Sequence, residues 1–474
     1  MMDYFERYRD LIEDWDAFVA AVKRPLPTTI WANPLKITPG KFQNLMAEGG
    51  VDLTPVPWYP GAFRLPDDVM PGLRWEYLAG LYQVQEEAAL LPALLLNPQL
   101  GERVLDMCAA PGNKTAQLGA MMQNRGTLIA NDRSNGRMRA ARHTFSRIGL
   151  VNVTTMTHDG ANLPAEMGLF DKIMVDVPCS CEGTCRKDPS VFERSSVGTS
   201  KKIARIQTAL LRKAVQLCRP GGRIVYATCT FAPEENELVI DAILRESGDT
   251  LHLCPTTVPE LTASPGLTEW QGQELHPDLH RASRIWPQQN DTGGFFVAVL
   301  QKRGNPLAVN GERFLQIETE PGNLSPENWL GMLVERFGMN PGVFDGLTAV
   351  RWSNRGLYLA NEDLQLPTQV RLDSPGLFFI RAGHRYLKMT TAATLLLGQH
   401  ATRNSIDLSP EQTQAYLQRQ TTIPTEAQAA ALTDTGFIIV CYRGYPLGLA
   451  VFHTKSNEIV SHFPKAWSRV DAQL

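Results

Sequence analysis

Residues 103–115 of this chain read RVLDMCAAPGNKT. A short apolar strand runs into a turn of small residues, and residues 114–123 are predicted to form the helix that follows. Such a turn lets a ligand approach the backbone and presents the helix N-terminus to it. The turn lacks the G-x-G-x-x-G and Walker spacings, so the pattern disfavours a phosphate-binding loop.

The pattern on either side of this stretch alternates between strand and helix. Strands are predicted at 127–131, 151–157, 171–177, 223–228 and 293–300. Helices are predicted at 76–96, 135–148, 203–218 and 233–246. Repeated strand–helix units predict an α/β fold, a doubly wound, Rossmann-like parallel sheet with helices on both faces.

The chain is predicted to divide into four parts. Residues 1–75 form a Pro-rich and aromatic N-terminal extension, and residues 76–302 form the α/β domain. A linker at 302–328 opens a small accessory domain, residues 303–390, and a β-rich C-terminal region follows at 391–474.

The composition is that of an ordinary globular protein. The 474 residues are 43% hydrophobic and 20% charged, and the net charge is -3, so any nucleic-acid surface must be local. The charged N-terminus and the lack of a long apolar stretch predict neither a signal peptide nor a membrane span. Eight cysteines are too few for a disulfide scaffold, so we expect a cytoplasmic protein with free thiols.

Carboxylates follow two further strands. Asp132 ends the second strand, 20 residues beyond Gly112, the spacing at which a carboxylate commonly binds ribose hydroxyls. Asp159 follows the third strand, where it could reach an adenine edge. Together with the small-residue turn, these positions favour a cofactor that contains a nucleoside.

Two cysteines close apolar runs where a parallel sheet presents its carboxyl edge, the usual ligand crevice. Cys179 follows residues 171–178, and Cys229 follows residues 223–228. Thiols there can serve as nucleophile and proton-handling group. Cys229 also precedes the helix predicted at 233, whose N-terminus would favour the thiolate. The spacing alone does not settle which cysteine attacks.

Three motifs carry a family resemblance. The segments 106–115, Asp176-Val177-Pro178-Cys179 and Ala227-Thr228-Cys229 resemble the Nop/Sun family of RNA cytosine-C5 methyltransferases, over about residues 76–302. Gly448-Leu449-Ala450 and the tail Phe463-Pro464-Lys465-Ala466-Trp467-Ser468-Arg469 are similar to its bacterial ribosomal RNA subgroup, called RsmF-like.

The resemblance implies a cofactor and a set of residues. S-adenosylmethionine would be bound by Cys108, Ala109, Ala110, Pro111, Gly112, Asn113, Lys114, Asp132, Asp159 and Asp176. Cys229 would be the nucleophile that adds to cytosine carbon 6, and Cys179 would promote its release. The Pro-Cys pattern of DNA cytosine methyltransferases would instead make Cys179 the nucleophile.

Two further residues complete the predicted catalytic set. Asp176 can accept a hydrogen bond from the exocyclic amino group or a protonated ring nitrogen of the base. Lys114 can hold the base carbonyl or its phosphate, although a solvated lysine is nearly as plausible.

RNA is the expected partner. Ribosomal RNA is favoured, transfer RNA is the alternative substrate, and a non-catalytic assembly factor is the alternative function. The base must be unstacked to reach a thiol. Arg186 and Lys187 are the best candidates for phosphate contact, because they follow the predicted base pocket. Basic residues also mark two predicted helices, for which solvated helix faces are the ordinary interpretation: Arg137, Arg139, Arg142, His143 and Arg147 on one, and Lys201, Lys202, Arg205, Arg212 and Lys213 on the other. The N-terminal extension and a PUA-like C-terminal region are expected to add RNA surface. No membrane and no obligate protein partner are expected, so the chain is predicted to be a monomer.

The cysteines of the 179–185 loop suggest a metal site at first sight. Structural zinc usually takes four ligands from two spaced pairs, and no second Cys/His pair lies nearby in the sequence. The prediction is therefore no metal, and Cys181 and Cys185 are left without a role.

Overall fold

The structure is a computed structural model that describes residues 4–304, 326–381, 388–468 and 472–474. The predicted linker, residues 302–328, lies mostly outside these ranges, and Arg469 of the tail motif lies wholly outside them. Within them, no helix is both long enough and apolar enough to cross a membrane.

A ten-stranded mixed sheet forms the centre of the described chain. Its strands, in spatial order, are Ser264–Pro265, Ser283–Ile285, Phe295–Lys302, Cys218–Thr228, Phe170–Asp176, Arg103–Asp106, Thr127–Asn131, Val153–Met156 and Ser374–Pro375, and Leu251–Cys254 also pairs with Phe295–Lys302. The five strands from Cys218–Thr228 to Val153–Met156 are parallel. Antiparallel strands flank them on both sides.

Helices cover both faces of this sheet, as the doubly wound prediction requires. One face carries Leu91–Leu96, Asn113–Met121 and Asn135–Ile148, and the other carries Val197–Leu217 and Glu237–Ser247. Each face has its own apolar core, and removing this surface from water is the main stabilising contribution.

The predicted helix at 76–96 is wrong. The segment forms the helix Trp75–Leu78, the strand Tyr82–Val84, a 3₁₀ turn and the helix Leu91–Leu96. Gly80 interrupts it with a φ of 72°, and a Cβ there would lie 2.0 Å from the Arg147 carbonyl oxygen. Only glycine fits such a close approach in the left-handed region.

The helix predicted to begin at 233 begins at Glu237 instead. Asn236 has non-helical angles, φ -108° and ψ -98°, and its side-chain amide is bonded to the Thr228 hydroxyl and the Thr230 carbonyl. The first helical residue is therefore eight positions after Cys229, and not four as predicted.

The N-terminal and C-terminal regions share an apolar core. The sheet before the central domain consists of Thr54–Pro55, Ala62–Arg64, Thr29–Ala32 and Tyr82–Val84. A five-stranded sheet near the C-terminus consists of Ser405–Asp407, Gly436–Tyr442, Tyr445–His453, Glu458–Ser461 and Thr421–Thr422. Trp75 packs edge-on against Tyr442, with ring centroids 5.0 Å apart.

The remaining sheets are small. A three-stranded sheet consists of Leu347–Ser353, Gly356–Asn361 and Leu377–Arg381, and a hairpin consists of Glu269–Trp270 and Gln273–Glu274. The other α-helices are Trp15–Val22, Pro39–Glu48, Val191–Arg194, Pro287–Asn290, Pro326–Phe337, Thr391–Leu397, Pro410–Leu417 and Glu426–Ala430.

Candidate active site

A cavity of about 700 Å³ lies at the carboxyl edge of the parallel strands. This volume is within the roughly 300–1,000 Å³ of small-molecule and cofactor sites. Of the predicted site residues, the cavity is lined by Cys108, Ala110, Pro111, Asp132, Asp159, Asp176, Cys179 and Cys229.

The turn after the strand Arg103–Asp106 forms one wall. Gly112 has a φ of 107° and caps the helix Asn113–Met121, and a Cβ there would lie 3.0 Å from Ala141 and Phe145. Glycine is therefore needed both for the conformation and for the contact with the neighbouring helix. The predicted strand–turn–helix is present.

Four predicted cofactor residues do not line the cavity: Ala109, Gly112, Asn113 and Lys114. Asn113 is turned towards the N-terminal sheet, because its side chain accepts a hydrogen bond from Gln83 and donates one to the Val84 carbonyl. Ala109 is buried, and its amide donates to the Asn131 carbonyl. Ala109 and Asn113 therefore hold the turn in place and do not face the cavity.

Asp132 is buried and held from two sides. Its carboxylate accepts a hydrogen bond of 2.8 Å from the Ser134 amide and lies 3.2 Å from an Arg137 nitrogen. Arg137 also donates to the Ala110 carbonyl, which links this carboxylate to the small-residue turn. Asp159 is exposed, caps a 3₁₀ turn and lines the same cavity.

Lys114 pairs with Asp176. Its Nζ lies 2.8 Å from Asp176 Oδ2. Burial lowers the pKa of Lys114, but Asp176, together with Cys229 and Asp106, outweighs burial and raises the pKa overall, so the lysine stays a cation. Asp176 keeps 30% of its side chain exposed and lines the cavity, so one of its oxygens remains available.

The two loops that carry Cys179 and Cys229 lie side by side. The Sγ atoms are 3.4 Å apart. The Gly183 amide donates to the Cys229 carbonyl at 2.9 Å, and the Ser180 amide donates to a Glu235 oxygen at 2.9 Å. The tertiary structure therefore brings together two thiols that are 50 residues apart in the sequence.

A third thiol completes this cluster. Cys181 Sγ lies 3.9 Å from Cys179 Sγ, and the ligand atoms of Cys179, Cys181 and Cys229 all lie within 4.8 Å of one another. Contact with Cys179 and then with Cys229 lowers the pKa of Cys181. Contacts with Cys181 and then with Cys229 raise the pKa of Cys179. Contact with Cys179 lowers the pKa of Cys229, but Cys181 and burial outweigh it and raise the pKa overall.

Sequence reasoning missed the opposite wall of the cavity. Ile203, Ile206 and Leu210 of the helix Val197–Leu217 line it, and Ile206 is 45% exposed. Their spacing places them on one face of a helix, but that signal is shared by every core-facing helix. Arg133, Ser134 and Arg137 also line the cavity and were not predicted to do so.

Arg186 was predicted to contact phosphate, and this is wrong. Only 1% of its side chain is exposed. It donates to the carbonyls of Arg24, Pro25 and Thr292 and pairs with Asp291 at 2.8 Å. Arg186 therefore ties the N-terminal segment to the loop, whereas Lys187 remains exposed.

Models of known families match three parts of the chain. Residues 93–301 match 16S rRNA methyltransferase RsmB/F, residues 2–87 match the N-terminal domain of 16S rRNA methyltransferase RsmF, and residues 403–469 match the methyltransferase RsmF PUA domain. A ribosomal RNA small subunit methyltransferase F from Escherichia coli O139:H28 is 32% identical over 447 residues, which cover 92% of this chain and 89% of the relative.

This chain belongs to the RsmB/F family of 16S rRNA methyltransferases. Membership confirms the resemblance drawn from the three sequence motifs, and with it an RNA methyltransferase. The PUA match confirms the expected character of the C-terminal region.

Two solved structures support the fold. A methyltransferase homolog protein from Pyrococcus horikoshii is 30% identical, with a TM-score of 0.55 over 64% of this chain and 99% of that chain. NSun6 from Pyrococcus horikoshii with SFG is 22% identical, with a TM-score of 0.54 over 64% of this chain and 98% of that chain. The predicted Rossmann-like methyltransferase sheet is confirmed.

Proposed function

We propose that this RsmB/F family member transfers a methyl group from S-adenosylmethionine to carbon 5 of a cytosine in small-subunit ribosomal RNA. The observation that carries the proposal is the pair of thiols, Cys179 and Cys229, 3.4 Å apart at the wall of a cofactor-sized cavity. Relatives named ribosomal RNA small subunit methyltransferase F support the choice of RNA.

The residues of the cavity fit S-adenosylmethionine. The buried Asp132 carboxylate at the end of the second strand suits ribose hydroxyls, and Asp159 in the same cavity suits an adenine edge. The apolar side chains of Pro111, Ile203 and Leu210 suit the faces of a flat ring. The SFG with which NSun6 from Pyrococcus horikoshii was solved is an analogue of S-adenosylmethionine. When bound, S-adenosylmethionine supplies an electrophilic methyl group.

Cys229 is the proposed nucleophile. Its sulfur forms a bond to carbon 6 of the cytosine, which makes carbon 5 electron-rich enough to take a methyl group. Because contact with Cys181 and burial raise the pKa of Cys229 overall, the Cys229 proton is released to solvent through the cavity before the sulfur attacks. Cys179 Sγ, at 3.4 Å, is in direct contact with it.

Cys179 is the proposed helper of the last step. The Cys179 sulfur, after losing its own proton to solvent, takes the proton from carbon 5. The electron pair left on carbon 5 forms the carbon 5–carbon 6 double bond, the sulfur–carbon 6 bond breaks, and its electron pair returns to Cys229. Asp176, held by Lys114, accepts a hydrogen bond from the cytosine amino group or ring nitrogen while negative charge develops on the ring. Lys114 is therefore a positioning residue for Asp176.

The helix Val197–Leu217 suits the RNA backbone. Lys201, Lys202 and Arg205 are exposed on this helix, next in sequence to its cavity-lining residues. Phosphate contacts at this rim would hold a flipped base over the thiols. A ribosomal RNA substrate supports a cytoplasmic location. The proposed site residues all belong to one chain, which supports a monomer.

The test uses the purified full-length protein with S-adenosylmethionine and three substrates: naked 16S rRNA, small ribosomal subunits and total transfer RNA. Bisulfite sequencing reads the methylated position. We expect one cytosine of the ribosomal RNA to be modified by the wild type and none by Cys229→Ala. Modification of transfer RNA alone would move the substrate to the alternative class. No transfer to any RNA would favour a non-catalytic assembly factor.

A further inference from the structure

The third thiol beside the two proposed catalytic cysteines has no role in the proposed methyl transfer. Cys181 lines the same cavity as Cys179 and Cys229. It has a φ of 61°, in the left-handed region where a side chain costs backbone energy relative to glycine. A thiol therefore stands where glycine would suit the backbone better, and it is placed against both functional sulfurs.

The spacing of the three sulfurs matches a metal site. Zn–S bonds of about 2.3 Å at tetrahedral angles place thiolate sulfurs about 3.8 Å apart. The Cys179–Cys229 and Cys179–Cys181 distances are 3.4 and 3.9 Å, and all three atoms lie within 4.8 Å of one another. None of the three sulfur–sulfur distances exceeds that spacing by more than about 1 Å.

The surroundings leave a fourth position. All three residues are half-buried and face the cavity, so water or another small ligand can complete the tetrahedron. Zinc sites with three protein ligands and one open coordination position are typical of zinc that binds an exchangeable water or substrate. Structural zinc sites have four protein ligands. Thiolate sulfur selects soft or borderline metals such as zinc, and not magnesium or calcium. Among the described residues, no other group of this kind is found.

We propose that Cys179, Cys181 and Cys229 together bind one thiophilic divalent metal ion, Zn²⁺ in the first instance, and that the bound ion holds the enzyme inactive. Binding displaces the protons that remain on the thiols to solvent and uses sulfur electron pairs for the metal. Cys229 then has no free pair for carbon 6, and Cys179 cannot assist release. The inhibitory part rests on the proposed function, whereas the metal site does not. This revises the sequence prediction of no metal.

The loop keeps the three sulfurs together by contacts that do not depend on the metal. Ser180 Oγ and Thr230 Oγ1 lie 2.7 Å apart, and the Gly183 amide donates to the Cys229 carbonyl. A Cβ at Gly183 would lie 2.2 Å from the Gly294 carbonyl oxygen, so the loop has no room to shift on that side. A preorganised trio of thiols loses little conformational entropy when it binds an ion.

The test titrates Co²⁺, and then competing Zn²⁺, into reduced full-length protein without RNA or cofactor. Thiolate-to-cobalt absorption reports coordination by sulfur. The wild type should take up one equivalent of metal. Cys181→Gly, which suits the backbone and removes one ligand, should bind at least about tenfold more weakly, since even the loss of an outer-shell partner costs roughly 10–100-fold. Cys254→Ser, distant from the cluster in the sheet, is the matched control and should bind as the wild type does.

Methyl transfer is then measured for each protein with and without one equivalent of Zn²⁺, relative to its own metal-free rate. Zinc should stop methyl transfer by the wild type and by Cys254→Ser, a chelator should restore the rate of both, and Cys181→Gly should keep most of its own rate.

No stoichiometric uptake by the wild type, or equal affinity in Cys181→Gly, would overturn the metal site. Uptake without inhibition would overturn the inhibitory role. A metal-free wild type that methylates no RNA would refute the proposed function and leave the metal titration to stand by itself.

Discussion

Ser180 Oγ and Thr230 Oγ1 lie 2.7 Å apart, and this contact joins the two loops that carry the thiols. Each hydroxyl belongs to the residue that follows a cysteine of the pair. Gln207 adds a second link, because its amide donates to the Pro178 carbonyl and to Glu235 Oε2, which also accepts from the Ser180 amide. The distance between Cys179 and Cys229 is thus set by residues beside them in both loops.

Thr230→Val should lower kcat by up to about 100-fold, because a displacement of about 1 Å at a reacting group can cost that much. The substitution keeps the shape of the side chain and leaves Ser180 without its partner. Binding of S-adenosylmethionine should be unchanged. Steady-state kinetics with ribosomal RNA measure the effect, and Thr394→Val, buried in the C-terminal region, is the control. Equal kcat in both variants would show that the contact does not position the thiols.

Cys179→Ala should trap the methylated covalent adduct. Thiolate addition and methyl transfer need Cys229, Asp176 and the cofactor, all of which this variant retains, whereas release lacks its helper. A denaturing gel should show a protein–RNA band that depends on S-adenosylmethionine. Cys229→Ala and the double variant should show none. A band in Cys229→Ala and none in Cys179→Ala would reverse the two roles.

Lys114→Met should reduce methyl transfer about 10- to 100-fold, with the affinity for S-adenosylmethionine little changed, because Lys114 is paired with Asp176 and does not line the cavity. Without the cation at 2.8 Å, the Asp176 carboxylate is free to turn away from the base. The range reflects loss of a positioned polar group at a reacting centre. Single-turnover rates and cofactor titrations separate the two effects, and a loss confined to cofactor affinity would contradict the assignment.

The stability of the protein should depend on pH through Glu182. Burial, and then the Glu235 carboxylate, raise the pKa of Glu182 to about 7 despite the hydrogen bond from Tyr8. The unfolded chain loses this proton near the ordinary value of about 4.3. Between these values the folded state binds more protons than the unfolded state. Its stability therefore falls as pH rises from about 5 to about 7, by at most about 1.4 kcal/mol per pH unit.

Denaturant unfolding of the wild type and Glu182→Gln at several pH values measures this effect. As pH rises, the unfolding free energy of the wild type should fall relative to that of Glu182→Gln. This difference should stop changing above about pH 7. Titrating groups that do not interact with Glu182, including the buried Asp106, are common to both proteins and cancel, whereas the coupling between Glu182 and Glu235 is part of the measured difference. Exposed Glu193→Gln should follow the wild type, and parallel curves for wild type and Glu182→Gln would contradict the assignment.

The double change Lys201→Glu and Lys202→Glu should weaken RNA binding. Both side chains are exposed on the helix that lines the cavity. The slope of log affinity against log salt concentration should fall by about one for each phosphate that the variant no longer neutralises. Lys213→Glu, about 18 Å further along the same helix, is the control. An unchanged salt slope would place the RNA backbone elsewhere on the protein.

Local signals were enough for several elements. The strand Thr127–Asn131 and the helix Asn135–Ile148 have the predicted bounds, because their apolar periods lie within them and the Ser134 cap and Gly149 directly flank the helix. The prediction for the segment 76–96 is wrong because its structure depends on contacts with residues far away in the sequence. Its strand forms by pairing of residues 82–84 with residues 30–32, and a Cβ at Gly80 would collide with the Arg147 carbonyl oxygen. Neither partner is close in the sequence.

By itself, the sequence determined the chemistry available: a small-residue turn after a strand, carboxylates at strand ends, and cysteines after two apolar runs. Those features depend on residue order, which a parallel sheet converts directly into positions along one edge. Only the tertiary structure decided which side chains face the cavity at that edge. It buried Arg186, turned Asn113 away, and brought Cys181 against Cys179 and Cys229. Those outcomes depend on packing between loops far apart in the chain, and no local pattern encodes the distance between three sulfur atoms.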